Sequence, residues 1–229
     1  VITLKLTGVV DTAVSEEIAD GRTITVNYKN ASQSVAVEKF VSMVLADRSY
    51  MGDEVELLKA ESIMIRTDIY RLMGERMNID SSQLGMSYMT SGQMKKKWGK
   101  DYLDNYNLVN DCVAATNGMT ISCNGQYIEA RYTYVTAGYT LSGKDMLGDD
   151  YSYLMAVECP KDKEAKEYFV VKTVNNKDFV NAFEKAYDGL TLDKKGLDKQ
   201  VQVVSVSSDG YVSKMQVGNM VMTGSTFAK

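Results

Sequence analysis

A mixed α+β fold is predicted for this 229-residue sequence by three features. Alternating, β-branched runs at residues 2–7 (ITLKLT) and 23–28 (TITVNY) precede segments with helical periodicity. Two hairpin signals, Asn124-Gly125 and Ser208-Asp209-Gly210, sit later between alternating runs. Strands and helices come in blocks, unlike the steady alternation of a doubly wound sheet. A single domain over 1–229 is expected, with a β segment at 1–35, a mostly helical part at 36–116 and a mostly β part at 117–229.

The elements follow in order. The two N-terminal strands are separated by the turn-like Asp20-Gly21, and a Ser/Asn/Gln-rich connection at 28–34 leads out of the second. Val37, Phe40, Val41, Val44 and Leu45 form an apolar stripe that predicts a helix over 36–46. After a break at Ser49–Asp53, a long helix is predicted over 53–73. Asp53, Glu54 and Glu56 suit its N-terminal dipole, Val55, Leu58, Ser62, Ile65, Ile69 and Leu72 share one face, and Gly74 is its stop. Residues 75–90 read as irregular. A short basic helix (90–100) and a further helix (101–116) follow. Lys95, Lys96, Lys97 and Lys100 beside Trp98 read as a solvated face in preference to an anionic or sugar contact. Strands are predicted at 118–123 and 127–134, joined by Asn124-Gly125, and at 151–157. An amphipathic helix at 176–187 carries Phe179, Val180, Phe183 and Tyr187, and a last hairpin pairs 201–206 with 211–217.

Composition removes several chemistries. With no histidine, His-based triads, His-ligated zinc, haem and imidazole pH switches are excluded, and acid–base work falls to Asp, Glu, Lys, Tyr or Cys. A net charge of −4 argues against a general nucleic-acid binder. Pro160 is the one proline, so no proline-rich linker exists, and no apolar run approaches the roughly 18–20 residues of a membrane span. Cys112, Cys123 and Cys159 match no metal or redox spacing; three thiols is the favoured reading over one disulfide with one thiol. The chain starts at Val1 with no Met or signal-type apolar segment, and an export signal is expected to have preceded it.

Several segments then resemble, in the right order, motifs of the stage II sporulation protein D family, the SpoIID/LytB domain. Leu58-Lys59-Ala60-Glu61-Ser62 with Arg66-Thr67 resembles its L-K-A-Q-A…A-R-T signature. Val37-Glu38-Lys39-Phe40-Val41 with Val44-Leu45-Ala46 resembles L-E-E-Y-V…V-V-A-A. Val113-Ala114-Ala115-Thr116-Asn117-Gly118 is similar to A-V-x-A-T-x-G, and Asn124-Gly125 with Ile128-Glu129-Ala130 to N-G-x-x-I-x-A. Gly138-Tyr139-Thr140, Tyr153-Leu154, Val157, Pro160, the 208–212 segment and Gly224 resemble later pieces, so the likeness covers about residues 35–229.

The resemblance implies a cell-envelope protein of Gram-positive type acting on peptidoglycan glycan strands as a sporulation lytic transglycosylase. It implies a groove built from the helical signature, the hairpins and the inserted helices. One carboxyl group would protonate the glycosidic oxygen, and as the conjugate base would help the sugar's own 6-hydroxyl close an anhydro ring. The family's glutamate falls eleven residues before the signature lysine, where this chain has Arg48, with Asp47 beside it. Catalytic roles are therefore expected for Asp47, Lys59 and Arg66, and substrate contacts for Arg48, Tyr132, Tyr134, Tyr139 and Thr140. Lys59 and Arg66, seven apart, share a helix face. Spacing alone favours two exposed helix charges; the resemblance favours a shared groove. The family's central His-Ser stretch reads Thr133-Tyr134, so no metal and no cofactor is expected, and the family's closing G-H-G-x-G-x-S segment does not occur before Lys229. Reduced or lost activity is expected, with a non-catalytic glycan-binding or scaffold module, or an enhancer of a partner cell-wall amidase, as the alternatives. The expected location is extracellular or envelope-bound, through an anchor outside this sequence.

Overall fold

The computed structural model describes residues 21–28, 31–49, 54–207 and 209–228. The strand expected at 2–7, Asp20, the Tyr50–Asp53 part of the interhelical break and Ser208 lie outside the described residues. The fold class is α+β, as the sequence predicts. Two compact units divide the chain between Tyr132 and Thr133, where the sequence reading expects one domain.

In the first unit, strand β1 (Thr23–Tyr28) lies between β2 (Ala31–Ala36) and β3 (Asn78–Asp80). β1 runs antiparallel to β2, from Thr23 opposite Ala36 to Tyr28 opposite Ala31, and parallel to β3. Ile24 and Val26 are fully buried while Thr25 and Asn27 bond Asn78 and Asp80, the alternation expected of a half-covered sheet. β2 falls where the sequence predicts a connection. It is an edge strand whose Ser and Gln side chains are largely exposed, so no apolar alternation announces it. β3, in the stretch read as irregular, is three residues long and buries only Ile79, too little for a periodic signal.

Four helices pack against this sheet and one another. They are α1 (Val37–Arg48), α2 (Val55–Met73), α3 (Ser91–Trp98) and α4 (Tyr102–Ala115). The predicted stripe of α1 is buried, and so are Ser42, Met43 and Ala46 between its members, which makes α1 the central helix of the core. On α2, Leu58, Ser62, Ile65 and Ile69 are buried, whereas Val55 at the first turn is 43% exposed. Gly74 ends α2 at φ 59°. Thr90 and Gln93 form a capping box at the start of α3.

The predicted hairpin at 118–134 shortens to β4 (Ser122–Cys123) and β5 (Gln126–Tyr127) around Asn124 and Gly125, both at positive φ. Beyond Ile128 the backbone leaves its partner, and the Ala130 N–H instead donates to the Asp68 carboxylate at 3.3 Å. Competition from a helix side chain thus ends a strand that the alternation extended to 134.

The second unit has its own core of Val180, Leu190, Leu192, Met215 and Val217. Its elements are α5 (Gly143–Leu147), α6 (Asn176–Ala186), α7 (Leu197–Gln200), β6 (Val201–Val206), β7 (Val212–Val217), β8 (Met220–Thr223) and α8 (Gly224–Phe227). β6, β7 and β8 form an antiparallel sheet in that order, extending the predicted hairpin by one strand. The strand expected at 151–157 does not form. Those residues run beside the 138–143 loop through scattered backbone bonds, including Thr140 N–H to Val157 O at 2.8 Å and Gly143 N–H to Leu154 O at 2.7 Å. Residues 117–229 are consequently richer in turns than the mostly β segment predicted.

Candidate functional site

Arg66 lies at the middle of α2 on its inward face and is fully buried. Its Nε and one terminal nitrogen each donate to Glu38 at 2.7 Å, a two-point pair between α2 and α1. The guanidinium also donates to the Met119 carbonyl at 3.1 Å and the Val113 carbonyl at 3.3 Å. A planar fork of five N–H donors suits such a junction, where an ammonium would not reach all partners. The three sequence segments around Glu38, Arg66 and Val113–Met119 are thereby tied at one point. This corrects the expectation that Arg66 shares an open groove with Lys59: packing of α1 and α4 over the middle of α2 seals the guanidinium away. In the sequence Glu38 stands only as part of the Val37–Val41 motif. A buried arginine's need for a carboxylate was the signal that would have singled it out.

Lys59, two turns closer to the start of α2, keeps a side chain 32% exposed and pairs with Glu56 at 2.7 Å. That carboxylate raises the Lys59 ammonium above its ordinary pKa. Next to it, burial pushes the Cys112 thiol up, against a smaller opposing effect of Lys59. Cys112, Cys123 and Cys159 are all free thiols.

Asp47 and Arg48 are half-buried in the last turn of α1. The end of that helix is closed from α3: the Lys97 ammonium donates to the carbonyls of Ala46 at 2.9 Å, Asp47 at 3.3 Å and Ser49 at 3.0 Å. Carbonyls without helical partners and the negative end of the helix dipole make this a favourable place for a cation. Lys95, Lys96 and Lys100 are exposed, as a solvated face predicts, but Lys97 is a cap and was not distinguished from them.

Asp68, also unmarked in the sequence reading, sits on α2 with a side chain 16% exposed. Burial raises its carboxyl above the ordinary value, with the Ala130 N–H and the Arg71 guanidinium at 3.2 Å pulling the other way. Tyr132, at the end of the same unit, is 38% exposed.

The remaining expected contact residues belong to the second unit. Tyr134 is 71% and Tyr139 45% exposed. Thr140 is half-buried, with its hydroxyl accepting from the Val157 N–H at 2.8 Å. The 136–140 loop is pinned from within the unit. Asp162 accepts the Thr136 N–H at 2.7 Å, and the Tyr211 hydroxyl donates to the Tyr139 carbonyl while accepting from the Ala137 N–H.

Among the described residues no three Cys, Asp or Glu side chains gather where they could hold a metal ion. No helix among the described residues is long and apolar enough to cross a membrane.

Stage II sporulation protein D of Bacillus subtilis (strain 168) is 30% identical to this chain over 173 residues, covering 71% of the chain and 50% of the relative. Stage II sporulation protein D of Bacillus amyloliquefaciens is 28% identical over 155 residues, covering 64% of the chain and 45% of the relative. The chain spans about half the length of the relatives it matches. No family model matches the chain.

Proposed function

The chain belongs to the stage II sporulation protein D family, and from that premise we propose that it is a cell-envelope protein that binds peptidoglycan glycan strands and cleaves them slowly or not at all. One contrast carries the reading. The Glu38–Arg66 junction that holds the signature segments together is complete, while the position of the family's acid holds Arg48. A guanidinium cannot donate a proton to a glycosidic oxygen at neutral pH. Asp47 is offset from that position by about 100° around the helix and reaches one methylene less far. The Lys97 contacts with the Ala46, Asp47 and Ser49 carbonyls at the end of α1 oppose a one-residue slip that would bring Asp47 into register. Lys59 and Arg48 remain as cations suited to a polar or anionic glycan.

The test uses peptide-stripped glycan strands. Co-sedimentation measures binding, and mass spectrometry of the digests measures anhydro-sugar ends. Binding with ends near background is expected. Strands that fail to co-sediment overturn the binding reading, and abundant anhydro ends that disappear in Asp47→Asn overturn the loss of cleavage.

A further inference from the structure

One stretch of the second unit stands clear of that unit's core. Residues 169–178 are exposed up to the start of α6, among them Phe169 at 79%, Val170 at 66%, Val171 at 74% and Val174 at 56%. The stretch is fixed at both ends. Just before it the Tyr168 N–H donates to the Ala165 carbonyl at 3.0 Å, and just after it the Asn175 side chain caps α6 by accepting from the Asp178 N–H at 2.9 Å. Phe169 has the extended backbone of a strand, with φ −136° and ψ 110°. Among the described residues, Phe169–Val174 make no backbone hydrogen bond. An aromatic and β-branched run of this kind favours a pleated ladder and lacks only a second strand. Consecutive exposed apolar residues mark a contact surface.

We propose that residues 2–7 of this chain pair with Phe169–Val174 as a β-strand and form a strap on the second unit. The sequence reads 2–7 as a strand, with Ile2, Leu4 and Leu6 alternating with Thr3, Lys5 and Thr7, and a strand must find an edge to satisfy its backbone. Phe169 and Val171, two apart, offer one face to the apolar side of 2–7, which leaves Lys5 and Lys172 on the other, solvated face. The connection is long enough: the fourteen residues from Thr7 to Gly21 reach up to about 46–50 Å when extended. Charge favours the same pairing. The connection carries Asp11, Glu16, Glu17 and Asp20 and no Lys or Arg, whereas residues 161–177 expose Lys161, Lys163, Lys166, Lys172 and Lys177. The other long edges fit less well. β2 presents Ser and Gln side chains, and β6 is broken by register shifts between Val203 and Val206. The proposal does not rest on the glycan reading.

Amide hydrogen exchange of the full chain tests it, read at residues 169–174 at two protein concentrations. Protection is expected there, independent of concentration. Successive strand amides point to opposite sides, so of Leu4→Pro and Lys5→Pro one removes a ladder donor whatever the register. That variant is expected to accelerate exchange at 169–174 by at least about tenfold, while the amides of α6 keep their protection. Thr12→Pro, in the connection, is expected to leave both unchanged. Unprotected amides at 169–174 in the wild-type chain overturn the proposal. Protection that survives both strand variants overturns it as well, and protection that falls on dilution assigns the surface to a second copy instead. Co-sedimentation with peptide-stripped strands, which tests the proposed function, is read separately from all of these.

Discussion

Arg66 and Glu38 meet in a two-point ion pair, 2.7 Å at each contact, with the arginine side chain fully buried and the glutamate side chain 29% exposed. The arrangement costs desolvation of a guanidinium, which only a complete set of acceptors offsets. Glu38→Gln leaves the buried cation facing a neutral amide. A loss of about 3–5 kcal/mol is expected, read as a lower midpoint in urea unfolding. Replacing both groups, Arg66→Met with Glu38→Leu, is expected to cost clearly less than the two single changes added together. A double-mutant cycle that sums without coupling would contradict the pairing.

Lys97 closes α1 from outside the helix. Its ammonium replaces water at three carbonyls close to Asp47 and Arg48. Lys97→Met keeps the aliphatic stem and removes the donor, at an expected cost of about 1–2 kcal/mol. Amide hydrogen exchange should accelerate selectively at residues 46–49, whereas α4 should keep its protection. Uniform acceleration across the first unit would mean that Lys97 acts through general packing.

How far the sequence led is best judged on particular residues. The helices were legible because Phe40, Val41, Val44 and Leu45, and again Leu58, Ile65 and Ile69, recur at helical spacing and are buried as that spacing requires. The edge strand β2 was not, because its solvent-facing Ser and Gln residues carry no apolar period. The strand predicted through residue 134 ended early because Asp68, sixty-two positions away from Ala130, took a ladder donor. Among site residues, adjacency of Asp47 and Arg48 was readable, but the division of labour among charges was not. Lys59 and Arg66 share a helix face in the sequence, and only the cover of neighbouring helices makes one half-exposed and the other sealed.

Asp68 gives the first unit a pH dependence of definite sign. Burial holds its folded-state carboxyl above the ordinary 3.8, so the folded protein binds that proton more tightly than the unfolded chain does. The resulting stabilisation is fully present below about pH 4 and is lost as pH rises through the folded-state value. Asp68→Asn removes the ionisation and keeps an oxygen to accept from the Ala130 N–H. The melting temperature of the variant relative to wild type should therefore rise between about pH 4 and pH 7. A difference that stays constant across this range, or moves the other way, would show that the Arg71 contact dominates.

The proposed loss of cleavage has a constructive counterpart. If Arg48 stands at the acid position, Arg48→Glu places a carboxyl group there while the Glu38–Arg66 junction and the Lys97 cap remain as they are. Arg48 is half-buried in the last turn of α1, where a carboxylate meets the negative end of the helix dipole, so the variant is expected to lose about 0.3–1 kcal/mol and still fold, which thermal unfolding checks. A positioned general acid contributes about 100-fold or more to a reaction of this class. A well-placed carboxyl group is therefore expected to raise the anhydro-sugar ends released from peptide-stripped strands by about 100-fold, a gain that an error near 1 Å in its position would cancel. The gain should vanish in Arg48→Gln, which removes the cation without adding an acid. Equal product from Arg48→Glu and Arg48→Gln, with binding of strands intact in both, would show that relief of positive charge, and not a missing acid, limits the wild-type chain.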